Sequence, residues 1–87
     1  MNKLYVGYLD GRNPSTFMAF TTIDKALENC IALIKFSYPY DAWVNPVETE
    51  KNPNADWRVV KSYSVTVIMN NDILAIHNVD IYVVNVQ

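Results

Sequence analysis

The chain has 87 residues, of which 51% are hydrophobic and 13% aromatic, with two glycines and four prolines. This composition excludes a disordered linker and supplies enough apolar surface for one small core, so we expect a single domain over residues 1–87. The formal net charge of −2 and the dispersed basic residues argue against nucleic-acid binding, which needs clustered Lys and Arg.

Cysteine content and apolar runs indicate the compartment. The single cysteine, Cys30, cannot form an internal disulfide, which is typical of proteins in a reducing environment. The first residues lack the apolar segment of a signal peptide, and no apolar run approaches the roughly 20 residues that span a bilayer. We therefore expect a cytoplasmic protein that makes no membrane contact.

The N-terminal third predicts a hairpin. Residues 4–9 are rich in β-forming side chains and predict a first strand. The segment 10–15 contains Asp-Gly and Asn-Pro and predicts a turn, after which residues 16–21 predict a second strand. We expect these two strands to pair antiparallel.

A helix follows the hairpin. Thr21 is the predicted N-cap, and Asp24 lies three residues later, as in a capping box, where the helix dipole favours negative charge. Pro39 cannot continue a helix, so we expect the helix to end near Ser37. Apolar residues at helical spacing form one buried stripe, which Leu33 and Phe36 widen. The stripe consists of Ile23, Ala26, Leu27, Cys30, Ile31 and Ile34.

The middle of the chain is less regular. Residues 38–43 form an aromatic loop, and residues 43–47 predict a short strand that Pro46 confines to a sheet edge. Residues 48–56 are polar and predict a solvated, acidic segment.

The C-terminal part alternates at strand spacing. From Trp57, the odd-numbered positions to Met69 are nearly all apolar and are expected to face the helix, while the even-numbered positions are mostly polar. Residues 70–72 predict a hairpin turn. Residues 73–86 form either one bulged strand or two strands that meet near Asn78. The last strand is expected to be a sheet edge, which suggests a homodimer by edge pairing or by sheet packing.

These elements define a fold class. Their order is β-β-α-(β)-β-β-(β), with bracketed strands uncertain from pattern alone. We expect an α+β fold with a single helix packed on a mainly antiparallel sheet of four to five strands.

The chain lacks the residues for most catalytic sites. One histidine and one cysteine exclude a structural zinc site within one chain, and two glycines cannot build a phosphate-binding loop. His77 and Cys30 could form a Cys–His pair, but Cys30 lies on the buried stripe, where a thiol is inert. Asp10 and Asp41 could converge, yet solvated surface charge explains them better. We expect a buried cysteine, a surface histidine, no enzyme activity, no cofactor and no metal.

Three surfaces are candidates for binding a protein partner. Tyr and Trp are enriched at binding hot spots, an exposed Arg in a turn suits recognition, and acidic residues attract a basic partner. Each surface also has a purely structural explanation: a cover for the core, a plain hairpin loop and a solubilising segment. The candidate residues are Tyr38, Tyr40 and Trp43 in the aromatic loop, Arg12 in the first turn, and Glu48 and Glu50 in the acidic segment.

The first 37 residues resemble a pattern common in small proteins of phages and bacteria. The pattern consists of Leu-Tyr-Val-Gly-Tyr at residues 4–8, a turn, and Phe-Met-Ala-Phe-Thr-Thr-Ile-Asp-Lys-Ala-Leu at residues 17–27. Proteins of this kind are often phage accessory factors, and some block host enzymes or defence systems by direct binding. The resemblance implies a location in the host cytoplasm and assigns no functional residues.

Our leading hypothesis is a non-enzymatic protein-interaction module, a phage accessory protein that binds and inhibits a host defence protein. One alternative is a small-ligand or nucleotide-binding domain with a pocket between helix and sheet near Trp43 and Trp57. Another is an RNA-binding sheet face, whose affinity would fall steeply with salt.

Overall fold

A computed structural model describes residues 2–12, 18–51 and 56–86. The elements are β1 (Asn2–Leu9), α1 (Ile23–Phe36), β2 (Trp43–Thr49), β3 (Val59–Met69) and β4 (Asp72–Val86). The four strands form one antiparallel sheet in the order β1-β4-β3-β2, and α1 packs on one face. The predicted α+β class is confirmed, including β2 as an edge strand.

The predicted second strand is not a regular strand where the structure describes it; residues 16 and 17 lie outside the described residues. Phe20 makes one isolated antiparallel bridge with Tyr5, through backbone hydrogen bonds of 2.7 and 2.8 Å. The chain leaves β1 by a tight turn at Asp10 and Gly11, which have φ of 51° and 82°. Asp and Gly are residue types that tolerate this left-handed region. β4 pairs antiparallel with β1 along the whole length of β1. Phe20 bonds to one edge of β1 and β4 pairs along the other, so the described residues 18–21 form a single bridge and not the regular hairpin strand that was predicted.

The helix begins one residue later than predicted. Thr22, not Thr21, is the N-cap, and its Oγ1 accepts a hydrogen bond from the backbone N–H of Lys25 at 3.1 Å. Asp24 lies in the first turn, where its charge complements the helix dipole. The helix ends at Phe36 with Ser37 as C-cap, in agreement with the prediction.

The core lies between α1 and the sheet. Within it, Gly7 allows the close approach of helix and strand: a Cβ built on Gly7 would lie 2.5 Å from Sγ of Cys30. Phe36 is 92% exposed, so the predicted widening of the buried stripe does not reach the helix end. The buried cluster comprises Ala26, Cys30, Ile34, Tyr63, Val65, Val67, Val79 and Ile81.

β3 and β4 form a hairpin through the predicted turn. Asn70 and Asn71 have φ of 53° and 65°, as a two-residue turn matched to strand twist requires. β4 then runs without interruption from Asp72 to Val86, so residues 73–86 belong to one strand. The expectation that this last strand is a sheet edge is wrong, because β4 lies between β1 and β3.

A register shift changes which side chains face the helix at the start of β3. Between Val59 and Lys61 the pairing with β4 shifts, so Val59 lies opposite Tyr82 and does not join the helix-side cluster. One extra residue in a strand reverses the alternation beyond it. The expectation that Val59 faces the helix is therefore wrong. Trp57 precedes β3 and is 79% exposed, so it does not pack under the helix either.

The sheet face opposite α1, here called the helix-free face, carries no helix of the described chain. The middle of this face is polar, as the polar even-numbered positions of β3 predicted. One end is apolar, because β2 and β4 place exposed side chains beside Ile68 of β3. The exposed apolar residues at this end are Trp43, Val47, Ile73, Leu74 and Ile76. In the parts of the chain that the structure describes, no helix has the length and hydropathy to cross a bilayer.

Candidate functional site

The aromatic loop divides into an anchored residue and two exposed ones. Tyr38 packs against the core and its hydroxyl lies 2.6 Å from Nε2 of His77. Tyr40 is fully exposed and Trp43 is 57% exposed. Tyr38 therefore closes the core, as the structural explanation of the loop predicts, while Tyr40 and Trp43 remain accessible to a partner.

A chain of three polar side chains holds Tyr38 in place. His77 lies between Tyr38 and Asp10, with Nδ1 2.6 Å from Oδ2 of Asp10. The Asp10 carboxylate can only accept, so Nδ1–H donates to it; in the neutral ring, Nε2 then accepts the Tyr38 hydroxyl proton. Asp10 is fixed in turn, because its Oδ1 accepts the N–H of Asn78 at 2.8 Å and its own N–H donates to the carbonyl of Asn78 at 2.7 Å.

This environment keeps Asp10 ionised. Partial burial by itself raises the pKa of the Asp10 carboxyl, but the hydrogen bonds from His77 and from the Asn78 backbone lower it by more. The net pKa is therefore below the ordinary value of 3.8. His77 keeps 21% of its side chain exposed, so it is half-buried and bonded on both ring nitrogens, where the sequence predicted a plain surface histidine.

Tyr38, His77 and Asp10 are linked in the same order as a catalytic triad, in which a hydroxyl nucleophile contacts a histidine base and a carboxylate orients the histidine. In this protein the three residues come from the loop after α1, from β4 and from the end of β1, and they join those elements. We assign Tyr38, His77 and Asp10 an anchoring role that fixes the loop displaying Tyr40 and Trp43. This network was not predicted from the sequence. One available signal was that His77 lies two and four positions before the buried Val79 and Ile81, on the same side of the strand, as a half-buried polar residue would.

Cys30 takes no part in this network. It is buried under Gly7, and burial raises the pKa of its thiol from 9.0 to about 11. His77 contacts Tyr38 and Asp10, so the structure provides no support for the Cys–His pair. Among the described residues, no three His, Cys, Asp or Glu side chains converge as metal ligands would.

Tyr40 and Trp43 line a surface cavity of about 450 Å³, here called the aromatic cavity. Its remaining lining residues are Lys35, Pro39 and Ala42. The exposed ring of Phe36 follows Lys35 directly at the helix end. Exposed aromatic groups, a proline and one cation around a concave surface form a site suited to an apolar side chain of a partner.

The other predicted binding residues lie elsewhere. Arg12 is exposed in the tight turn after β1, where its backbone pairs with Leu9. Glu48 belongs to β2 and forms an ion pair with Lys61 at 3.2 Å, and Glu50 follows the end of the strand. Both glutamates line a second cavity of about 400 Å³ with Lys61. The structure thus does not bring Arg12 and the glutamates together with the aromatic cavity.

The alternative of a small-ligand pocket between helix and sheet placed Trp43 and Trp57 near each other, but the structure holds them apart. Trp43 pairs with Ile68 near the end of β3, whereas Trp57 precedes the start of β3. Nine positions separate Val59, the first residue of β3, from Ile68, so the two tryptophans lie near strand positions roughly 30 Å apart. A different cavity, of about 340 Å³, opens on the helix-free face, where the rings of Tyr8 and Tyr82 lie 4.5 Å apart beside Arg58.

The fold and these surfaces define a small α+β domain with a helix on one face of a four-stranded antiparallel sheet. Comparison with protein-family models finds no match, and comparisons with curated proteins and with solved structures find none either.

Proposed function

We propose that the chain is a non-enzymatic protein-interaction module that binds its partner through the aromatic cavity. The observation that carries this proposal is the exposure of Tyr40 and Trp43 around one cavity, while Tyr38 of the same loop is anchored to His77.

Burial of these two rings supplies the driving force. An aromatic side chain can remove about 150–250 Å² from water, and each Å² is worth about 25 cal/mol. Trp43 and Tyr40 could therefore contribute several kcal/mol at a contact of modest size. Because the Tyr38 anchor fixes the loop before binding, less conformational entropy is lost in the complex.

Lys35 adds a positive charge beside this apolar contact, which favours a partner with a carboxylate at that position. It lines the cavity at the last turn of α1, so a partner carboxylate placed beside the apolar contact would meet a cation. The resemblance of the first 37 residues to phage accessory proteins supports a host protein, such as a defence enzyme, as the partner that is bound and inhibited.

The test is affinity purification from bacterial lysate with quantitative mass spectrometry. The wild-type chain is compared with Tyr40→Ala and with Trp57→Ala, a matched control that removes an exposed aromatic ring far from the cavity. We expect a partner that wild type and Trp57→Ala recover equally and that Tyr40→Ala recovers at least about tenfold less. Equal recovery by all three proteins, or no partner, would overturn the proposal.

A further inference from the structure

The helix-free face is the largest surface of the sheet without a covering layer in the described chain. Side chains that alternate outward from the four strands form it. From β1 and β2 they are Leu4, Val6, Tyr8, Trp43, Asn45, Val47 and Thr49; from β3 and β4 they are Val59, Ser62, Ser64, Thr66, Ile68, Ile73, Leu74, Ile76, Asn78, Asp80, Tyr82 and Val84, of which Val59 is buried. We propose that a second copy of this chain packs on this face, sheet against sheet, in a symmetric dimer.

The size of the face fits a stable dimer. Four strands at the usual spacing, and the 11 residues of β3, give it roughly 700 Å². A specific interface of standard size covers about 800 Å² on each partner. The apolar end alone is smaller than this, so the whole face must take part. Two antiparallel sheets that pack face to face, about 10 Å apart, are a common way to bury such surfaces.

The charge on the face fits a second copy better than a charged partner. Among the described strand residues, Asp80 is the one charged residue that points to this side, and its Oδ1 accepts a hydrogen bond from Ser62 Oγ at 2.7 Å. Arg58, which precedes β3, lines the cavity beside Tyr82 on this face, and an ion pair with Asp56 at 2.7 Å balances its charge. The ion pair of Lys61 with Glu48 lies on the helix side, beside Tyr63. In a two-fold dimer like residues meet near the axis, so a face with few charges, each bonded to a neighbour in its own chain, limits the self-repulsion that a highly charged face would suffer.

The apolar residues are placed to hold such a dimer. Val47 on β2 and Ile76 on β4 flank the polar middle of β3, and both are more than half exposed. Val6 and Val84 line the cavity beside Tyr8 at the opposite end. Packing of a second sheet would bury both ends together. This contact does not include Tyr40, although it shares Trp43 with the aromatic cavity.

Sedimentation equilibrium at tens of micromolar tests the proposal. We expect a dimer for the wild type, and a dissociation constant raised at least about tenfold for Ile76→Lys and for Val47→Lys, because each buries a charge in the interface. Phe36→Lys is the matched control, since it also replaces an exposed apolar residue by lysine but lies on the helix. It is expected to dimerise like wild type. Circular dichroism establishes that each variant is folded.

Three outcomes would overturn the proposal. One is a wild type that is monomeric at every concentration. Another is dissociation by Phe36→Lys with no effect of Ile76→Lys or Val47→Lys, which would place the contact at the helix end. The third is a monomer whose melting temperature rises with small aromatic metabolites, which would make the Tyr8–Tyr82 cavity a ligand site. Partner capture by the wild type and by Tyr40→Ala is a separate measurement, so failure of the dimer and failure of the proposed function can be distinguished.

Discussion

Trp43 lies directly opposite Ile68 in the pairing of β2 with β3, and it also lines the aromatic cavity with Tyr40. The same side chain thus belongs to the apolar end of the helix-free face and to the proposed partner site. The two surfaces meet at the first residue of β2.

This position predicts a double effect for Trp43→Ala. The variant should weaken both partner capture and dimerisation, whereas Tyr40→Ala should weaken capture alone. Because Trp43 is more than half exposed, we expect the free energy of unfolding to fall by less than about 1 kcal/mol. Capture assays and sedimentation on the two variants check this prediction. If Trp43→Ala leaves the dimer unaffected, Trp43 does not belong to the dimer interface.

Gly7→Ala should destabilise the protein. The added Cβ would lie 2.5 Å from Sγ of Cys30 and 3.1 Å from the carbonyl oxygen of Ala26, so helix and sheet must separate. Overpacking of this kind costs about 1–3 kcal/mol, measurable by urea denaturation. The penalty should shrink when Cys30→Ala removes the sulfur. An equal penalty in both backgrounds would show that the sulfur contact is not its cause.

The helix N-terminus provides a matched pair of variants. Thr22→Ala removes the side-chain acceptor of the Lys25 N–H and should cost about 1 kcal/mol. Thr21→Ala removes the neighbouring hydroxyl, which makes no cap, and should change stability by less than about 0.5 kcal/mol. Chemical denaturation of both variants is the measurement. If Thr21→Ala lost more stability than Thr22→Ala, Thr21 and not Thr22 would be the N-cap.

Local patterns predicted much of this fold. The spacing of Ala26, Cys30 and Ile34 indicated the buried helix face, and Asn70-Asn71 indicated the turn, because both depend on neighbours a few residues away. The pairing of β1 with β4 joins the two ends of the chain, and nothing local to either strand specifies it. The shift beside Val59 was missed for the same reason.

The candidate site shows the same division. Composition pointed to the aromatic loop, but exposure separates Tyr38 from Tyr40, and exposure depends on packing. The contacts of His77 with Tyr38 and Asp10 span 39 and 67 positions of sequence, so no motif could predict them.

Asp10 predicts a loss of stability in acid. Its pKa in the folded protein lies below 3.8, so the unfolded state binds more protons as the pH falls past that value, and folding becomes less favourable. The stability that Asp10 contributes is complete above pH 5 and is lost as the pH falls through the folded pKa. Asp10→Asn should therefore lie furthest below wild type near neutrality, and the gap should narrow below about pH 4.

Urea denaturation of both proteins across this pH range is the measurement. Asp56, whose pKa is lowered to about 2 by hydrogen bonds from Arg58, titrates in both proteins, so its effect cancels in the difference. A gap that stays constant with pH would show that the Asp10 charge does not stabilise the network.

The central claim is that Tyr40 and Trp43 form a protein-binding site. Its most direct test is the affinity of the captured partner, purified and titrated by calorimetry against wild type, Tyr40→Ala, Trp43→Ala and Trp57→Ala. We predict that the dissociation constant rises at least about tenfold for the first two variants and stays at the wild-type value for Trp57→Ala. Equal affinity of all four proteins would contradict the claim.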